Sequence, residues 1–236
     1  MTLAQLLFSQ GFGSRRECAG LVAAGWVAIA GEIETDPWRE VEPDGLAFSV
    51  RGEPWVFHEP ALLVMNKPAG HECSQKPKHH PSVYALLPAP LRRRDVQAIG
   101  RLDEDTTGVL LFTDDGPLIH RLTSPRHHVP KVYEVLCLHA VTPALVEALS
   151  SGVTLHDDPK PVRVAACEAS GERTLLMTLT EGRYHQVKRM VAAAGNRVER
   201  LHRRSFGGVV AADVAAGAWR WLDATEVAAL ATIERT

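Results

Sequence analysis

Apolar and polar positions repeat with two different periods along this chain, and the changes of period divide it. Leu3, Leu6 and Leu7 mark one apolar face of a short helix that the pattern ends near Gly11. Ser14 with Glu17 three residues on is a capping box, which opens a second helix running to about Ala24, and Gly25 closes it. Val27, Ile29 and Ile33 then alternate around Gly31 as a hairpin would. Two helices followed by a small β element predict a compact N-terminal module over residues 1–55. The stretch R-G-E-P-W at 51–55 reads as a linker, residues 56–60 complete the connection, and 61–236 form a second domain. That domain opens with A-L-L-V-M-N-K-P-A-G at 61–70, an apolar strand halted by a proline turn. Strand-like runs come next at 97–99, 109–113, 131–138, 161–167, 173–180 and 197–201. Helix signals fall between them: Pro117 after Asp115 and Gly116, Pro143 after Thr142, and Tyr184 to Ala194 ending at Gly195. Many strands interrupted by fewer helices predict an α+β domain on a mixed, largely antiparallel sheet, with no internal repeat.

Composition narrows the class. A hydrophobic content of 45% and a charged content of 23% suit a globular protein with an ample core, and no apolar run approaches the length that spans a bilayer. The first residues carry neither a basic leader nor a small-residue cleavage site, so no signal peptide and no membrane partner are expected. Cys18, Cys73, Cys137 and Cys167 lack C-x-x-C spacing, which suits reduced thiols in a cytoplasm. The net charge of -2 conceals two opposed regions. Residues 31–60 have a local balance of -6, and residues 181–204 a balance of +5 with His185 and His202 besides. Together with Arg92, Arg93, Arg94 and the R-H-H at 126–128, the second region reads either as a solvated face or as a basic surface that tracks phosphates. Arg15 and Arg16, in the first turn of the second helix, have the same two readings.

The densest candidate chemistry is G-R-L-D-E-D-T-T-G at 100–108, followed by V-L-L-F-T-D-D-G. Three carboxylates and an arginine lie between two apolar runs. They form either a solvated turn that bonds its own backbone or an active-site loop held by strands on both sides. Asp103 with Asp105, or Asp114 with Asp115, has the residue types of a hydrolase carboxylate pair, although such pairs usually come from separate elements. His71, Cys73, His79 and His80 are metal-ligand types without zinc-site spacing. The stretch E-G-R-Y-H-Q-V-K-R-M at 181–190 gathers Arg183, His185, Lys188 and Arg189 at the opening of a helix, close enough for one to meet a carboxylate and others to meet phosphates. Neither G-x-x-x-x-G-K-[ST] nor G-x-G-x-x-G occurs.

Taken in order, N-K-P-A-G, then G-R-L-D-E-D-T-T-G-V-L-L-F-T-D-D-G, then S-P-R-H-H-V-P-K-V-Y at 124–133, then E-G-R-Y-H-Q-V-K-R-M with G-N-R-V at 195–198 and L-H-R at 201–203, resemble the RsuA group of RNA pseudouridine synthases. The match runs from about residue 61 nearly to the C-terminus, and the first fifty-odd residues resemble, more loosely, an S4-type RNA-binding module. That module departs from the pattern in its start, L-A-Q-L-L, which lacks a basic residue. The resemblance implies isomerisation of a uridine in 16S rRNA, at position 516, without cofactor or metal. It further implies a monomer acting on a partly assembled small-subunit ribonucleoprotein. Alternatives are a 23S rRNA target and a non-catalytic RNA-binding assembly factor on the same scaffold. By the resemblance, Asp103 is the catalytic carboxylate, acting as nucleophile or base; Lys188 is its cationic partner; and Tyr133 stacks on the flipped base. Arg101 helps displace that base or meets its phosphate. Arg15, Arg16, Arg126, Arg183, His185, Arg189, Arg200, Arg203 and Arg204 are the expected RNA contacts.

Overall fold

A computed structural model of the chain describes residues 1–156 and 158–233. The chain falls into two compact units. The first comprises Met1–Leu62 with Leu87–Gln97 and Thr113–Asp115, and the second Leu63–Leu86, Ala98–Phe112 and the chain from Gly116 onward.

In the first unit, α1 (Leu3–Ser9) and α2 (Arg15–Ala23) each begin with a complete capping box, Thr2 with Gln5 and Ser14 with Glu17, so the N-cap and N3 N–H groups of both helices are paired locally. Strands β1 (Val27–Ile29), β2 (Glu32–Glu34), β3 (Ala47–Val50) and β4 (Glu53–Val56) form a sheet in the order β2-β1-β3-β4. Leu3, Leu6 and Leu7 of α1 and Cys18 and Val22 of α2 pack on Val27, Phe48 and Val50. The stretch 51–55 is not the linker expected. Arg51 (φ 54°) and Gly52 (φ 83°) are both left-handed, and this pair makes the tight turn that joins β3 to β4. Pro54 is tolerated because β4 is an edge strand. This unit also contains α3 (Ala89–Arg93). The Arg94 side chain, expected on a basic surface, is only 4% exposed. It bonds Asp114 Oδ2 at 2.6 Å and Gln10 Oε1 at 3.0 Å, and Asp114 also accepts from the Ala61 N–H at 2.8 Å. Asp114 is therefore a structural carboxylate, and the Asp114–Asp115 reading as a hydrolase pair falls.

The second unit is built on β5 (Leu62–Lys67), β6 (Gln97–Ala98), β7 (Thr107–Thr113), α4 (Gly116–Thr123), β8 (Lys131–Cys137), α5 (Pro143–Ser151), β9 (Val153–Leu155), β10 (Asp158–Val162), β11 (Ala166–Gly171), β12 (Thr174–Leu179), α6 (Gln186–Ala193), β13 (Val198–Phe206), β14 (Val209–Val210), β15 (Trp219–Trp221) and α7 (Ala224–Ala231). Nine strands make one mixed sheet whose main path is β11-β12-β8-β13-β7-β5-β15, while β9 and β10 pair separately. Neighbours β11/β12, β12/β8, β8/β13 and β5/β15 are antiparallel, and β13/β7 is parallel. The single apolar run expected at 161–167 divides between the end of β10 and the start of β11. Leu145 and Leu149 of α5 and Val187, Met190 and Val191 of α6 cover Val135 and Cys137 of β8 and Leu175 and Met177 of β12, which gives this face of the sheet its core. Among the described residues no helix is long and apolar enough to cross a membrane.

A bulge and a left-handed helix cap shape the inner face of this unit. The β-bulge lies between Arg203 and Ser205 of β13, opposite Tyr133 and Val132 of β8. The extra residue shifts the alternation by one, so that Leu201, Arg203 and Phe206 all share the sheet face of Val135, Tyr133 and Lys131. Gly108 of β7 (φ 102°) lies beside that bulge. A Cβ there would stand 2.2 Å from the Arg203 carbonyl oxygen, so the last glycine of G-R-L-D-E-D-T-T-G is required by the close approach of β13. At the cap, α6 opens at Gln186, two residues later than expected, because its N-cap His185 is left-handed (φ 47°).

Candidate active site

The loop at 103–106 is fixed from beneath by Lys67, the last residue of β5. Lys67 is fully buried, and its ammonium donates to the carbonyl oxygens of Pro68 (3.0 Å), Asp103 (3.0 Å), Glu104 (3.1 Å) and Thr106 (2.8 Å). Gly70 N–H adds a bond to Glu104 O at 2.8 Å. Burial pushes the Lys67 ammonium below its ordinary range, against the opposing pull of Cys73 and the loop carboxylates. An ammonium in this position draws the carbonyls of Pro68, Asp103, Glu104 and Thr106 to one point, and so defines the loop backbone and the direction of its side chains.

Above that anchor the loop presents Asp103 to a cavity of about 410 Å³. Asp103 Oδ1 lies 3.3 Å from His185 Nε2, and Oδ2 lies 3.3 Å from Lys188 Nζ. Lys188 is held more closely by Asp105, at 2.7 Å and 2.8 Å to the two carboxylate oxygens. The expected Asp103–Lys188 pair is thus part of a larger group in which one ammonium spans two carboxylates. For Lys188, burial works against the charge, but the hydrogen bond from Lys188 to Asp105 and the charge of Asp103 outweigh it and raise the pKa. For Asp105 burial likewise opposes ionisation, and Lys188 outweighs it to lower the pKa. The His185 ring stacks on Tyr184 at 3.8 Å between centroids. Gln186 accepts from the Arg183 N–H (2.8 Å) and donates to Glu181 (2.8 Å), which fixes the turn before α6 and sets His185 and Lys188 toward the loop.

The bulged pair of strands supplies Lys131, Tyr133, Arg203 and Phe206 to the same cavity. Tyr133 is the register partner of Arg203, and Lys131 that of Phe206. Lys131 donates to Val129 O at 2.8 Å, and burial together with the Arg203 charge lowers its pKa to about 8. Arg203 donates from Nε to Val109 O at 2.7 Å, and its guanidinium lies 5.2 Å over the Phe206 ring.

Of the residues expected from sequence, Asp103, Tyr133, Lys188, Arg101, Arg183, His185 and Arg203 all line this cavity. Arg203 needs a correction, because it is 2% exposed and cannot belong to a solvent-facing phosphate track. Arg200 and Arg204 are exposed on β13, and Arg204 lies 3.4 Å from Glu134. Arg126 is exposed in the turn after α4. Arg189 bonds Tyr184 O at 3.1 Å from α6. Arg15 and Arg16 are exposed in the first turn of α2, with Arg15 5.2 Å over Phe8. Asp105 does not act with Asp103 as a free carboxylate pair, since Lys188 lies between them. The residues near 71–80 organise around a carboxylate: Glu72 accepts the backbone N–H groups of His79 (2.8 Å) and His80 (2.9 Å). Sequence reasoning missed Lys67 and Lys131. The available signal was a lysine set directly against an apolar strand, in V-M-N-K-P and again in P-K-V-Y.

Known proteins resemble this chain in sequence and in fold. The family model for RNA pseudouridylate synthase matches residues 61–193. The chain is 39% identical over 230 residues to the ribosomal small subunit pseudouridine synthase A of Escherichia coli K12, covering 94% of this chain and 96% of that one. It is 40% identical over 212 residues to YtzG of Bacillus subtilis, an uncharacterized RNA pseudouridine synthase, covering 89% of each. A crystal structure of a pseudouridylate synthase superimposes with a TM-score of 0.69 at 33% identity, over 98% of this chain and 99% of the other. With a sequence match across most of its length and a fold match across nearly all of it, the chain belongs to the RNA pseudouridylate synthase family.

Proposed function

We propose that this enzyme converts a uridine of small-subunit (16S) ribosomal RNA to pseudouridine, at position 516, and that it meets the RNA as a monomer on a partly assembled ribonucleoprotein. The observation that carries the reading is the Asp103 carboxylate, held inside a cavity between His185 and Lys188 on a loop anchored by Lys67. The small-subunit assignment is supported by the relatives of that printed activity, which match the chain over nearly its full length.

The reaction requires the target base to leave its stack, at a cost of a few kcal/mol, and to enter a pocket that retains it once detached. The Lys188 ammonium beside Asp103 offsets the cost of holding a carboxylate in that pocket. Asp103 either takes the ribose carbon as a nucleophile or removes a ribose proton as a base. Tyr133 offers a ring to stack on the uracil and a hydroxyl for the last proton removal from C5. Arg101 and Arg183, both exposed and lining the cavity, suit the flanking phosphates. The acidic stretch at 31–60 suits contact with a basic ribosomal protein better than with bare RNA, and residues 1–55 we take to be an S4-like module.

The test is incubation with 16S rRNA without added metal, followed by mapping of pseudouridine. Conversion of one uridine is the expected outcome. Bound but unmodified RNA would favour an assembly factor, and release of base or sugar would favour a hydrolase.

A further inference from the structure

The floor of the cavity carries more positive charge than the carboxylate at its wall explains. Arg203 and Lys131 are 2% and 9% exposed, and among the described residues neither hydrogen-bonds a carboxylate. Arg203 Nη2 is buried and has no hydrogen-bond partner there. A buried guanidinium N–H left unpaired is destabilising, and an apolar side chain would fill a purely structural position at lower cost. The surrounding structure nevertheless goes to some length to hold this group. The bulge turns Arg203 inward beside Tyr133, Gly108 gives up its side chain so that the bulged backbone fits, Val109 O fixes Nε, and Phe206 lies under the guanidinium.

We infer that Arg203 is a catalytic residue that donates from its free Nη2–H to a carbonyl oxygen of the target uracil and stabilises the base as it leaves the ribose. This rests on the reading of the cavity as the site of uridine isomerisation. When the C1′–N1 bond breaks, its electron pair remains on the base and spreads over the two carbonyl oxygens, giving a uracil anion. That charge is absent in the bound uridine and absent again after C5 has bonded to C1′ and released its proton. A fixed donor at the floor therefore favours the separated state over both substrate and product, as an oxyanion hole does. Lys131, 5.3 Å from the same Phe206 ring and within electrostatic reach of Arg203, adds to the same positive potential. Exposed cations at the rim, Arg101 and Arg183, suit phosphates, whereas a buried planar donor beside a stacking tyrosine suits the edge of a base.

The experiment is a substitution cycle on protein and substrate together. Wild type and Arg203→Met are each given an RNA whose target is uridine, 2-thiouridine or 4-thiouridine, since sulfur accepts a hydrogen bond more weakly than oxygen. Single-turnover rates and RNA affinity are measured separately. Arg203→Met should lose on the order of 10²–10³-fold in rate with RNA affinity within about twofold of wild type. At one of the two carbonyls, the ratio of thio to oxo rates should differ about tenfold between wild type and variant, a coupling that a merely structural arginine would not produce. If Arg203→Met fails to fold, Arg203→Lys takes its place in the cycle, because it retains the stem and the charge and loses the fork. Equal thio-to-oxo ratios in wild type and variant at both carbonyls would overturn the inference. A wild-type protein that makes no pseudouridine from the uridine substrate would instead overturn the functional reading beneath it.

Discussion

At the scale of single residues, the group around Asp103 orders the expected losses. Asp103→Asn keeps the shape of the side chain but removes the charge and basicity on which either role depends. Isomerisation should fall by about 10²–10⁴-fold while RNA affinity stays near wild type. Substantial turnover by the purified variant, with deamidation excluded by mass spectrometry, would sink the assignment. Lys188→Met leaves both Asp103 and Asp105 without the ammonium they share, whereas Lys188→Arg keeps a cation that can span two carboxylates. The Met variant should therefore lose far more activity than the Arg variant, and equal rates for the two would make Lys188 a bystander. That Asp103, Lys188 and Tyr133 meet at one cavity was legible because they sit inside long motifs whose order along the chain is specific. The role of Asp105 was not legible: three carboxylates in sequence do not reveal which one the distant Lys188 approaches to 2.7 Å.

Among the elements, the parallel approach of β7 to the bulged β13 decides the shape of the floor. Gly108→Ala would drive a Cβ to 2.2 Å from a backbone oxygen at a φ of 102°, and neither strand can yield cheaply. A loss of roughly 1–3 kcal/mol or more in unfolding free energy is expected, measured by urea denaturation, and a variant as stable as wild type would show that the strands are not so closely opposed. Lys131 tests the same floor through pH. Its folded pKa of about 8 lies below the ordinary value of 10.5, so the folded state releases this proton before the unfolded chain does. Below pH 8 the fold bears the cost of a buried ammonium, and between 8 and 10.5 stability rises with pH relative to a chain lacking the group. Lys131→Met should accordingly gain most over wild type at neutral pH, with the difference shifting toward wild type near pH 10.5. A pH-independent difference would show that the ammonium is not strained by burial. The helix starts at Ser14 and Thr142 were readable because a cap is a local feature, as were most strands from their apolar runs. The bulge was not, since the extra residue in R-R-S at 203–205 leaves no compositional mark. Arg203 shares the parity of buried Leu201, and that was the one cue that it faces inward; the neighbouring Arg200 and Arg204 made the strand look uniformly basic.

Over the whole molecule the governing quantity is the separation of charge, acidic at 31–60 and basic at 181–204 within a net of -2. A phosphate track made of exposed cations binds by releasing counterions, so each contact removed should flatten the log-log dependence of affinity on salt by roughly 0.7 to 0.9. Arg203 is interior, so the appropriate test neutralises Arg200 and Arg204 alone, which stand exposed on β13. The double variant should bind 16S rRNA more weakly and with a slope reduced by one to two such increments, while its single-turnover rate at saturating RNA stays close to wild type because neither residue lines the cavity. The acidic stretch makes a separate demand. Bringing it near bare phosphates would cost affinity, whereas a basic ribosomal protein would draw it in, and Trp38 and Ile33, each 70% exposed among those carboxylates, add apolar surface for such a contact. Turnover should therefore be faster on 16S rRNA carrying its early-binding ribosomal proteins than on the naked RNA. Reversing the charge of Glu32, Glu40 and Glu42 should narrow that difference, by slowing the ribonucleoprotein reaction and sparing or improving the reaction with naked RNA. Equal rates on both substrates, unaltered by the charge reversal, would mean that the acidic stretch meets neither RNA nor protein during catalysis.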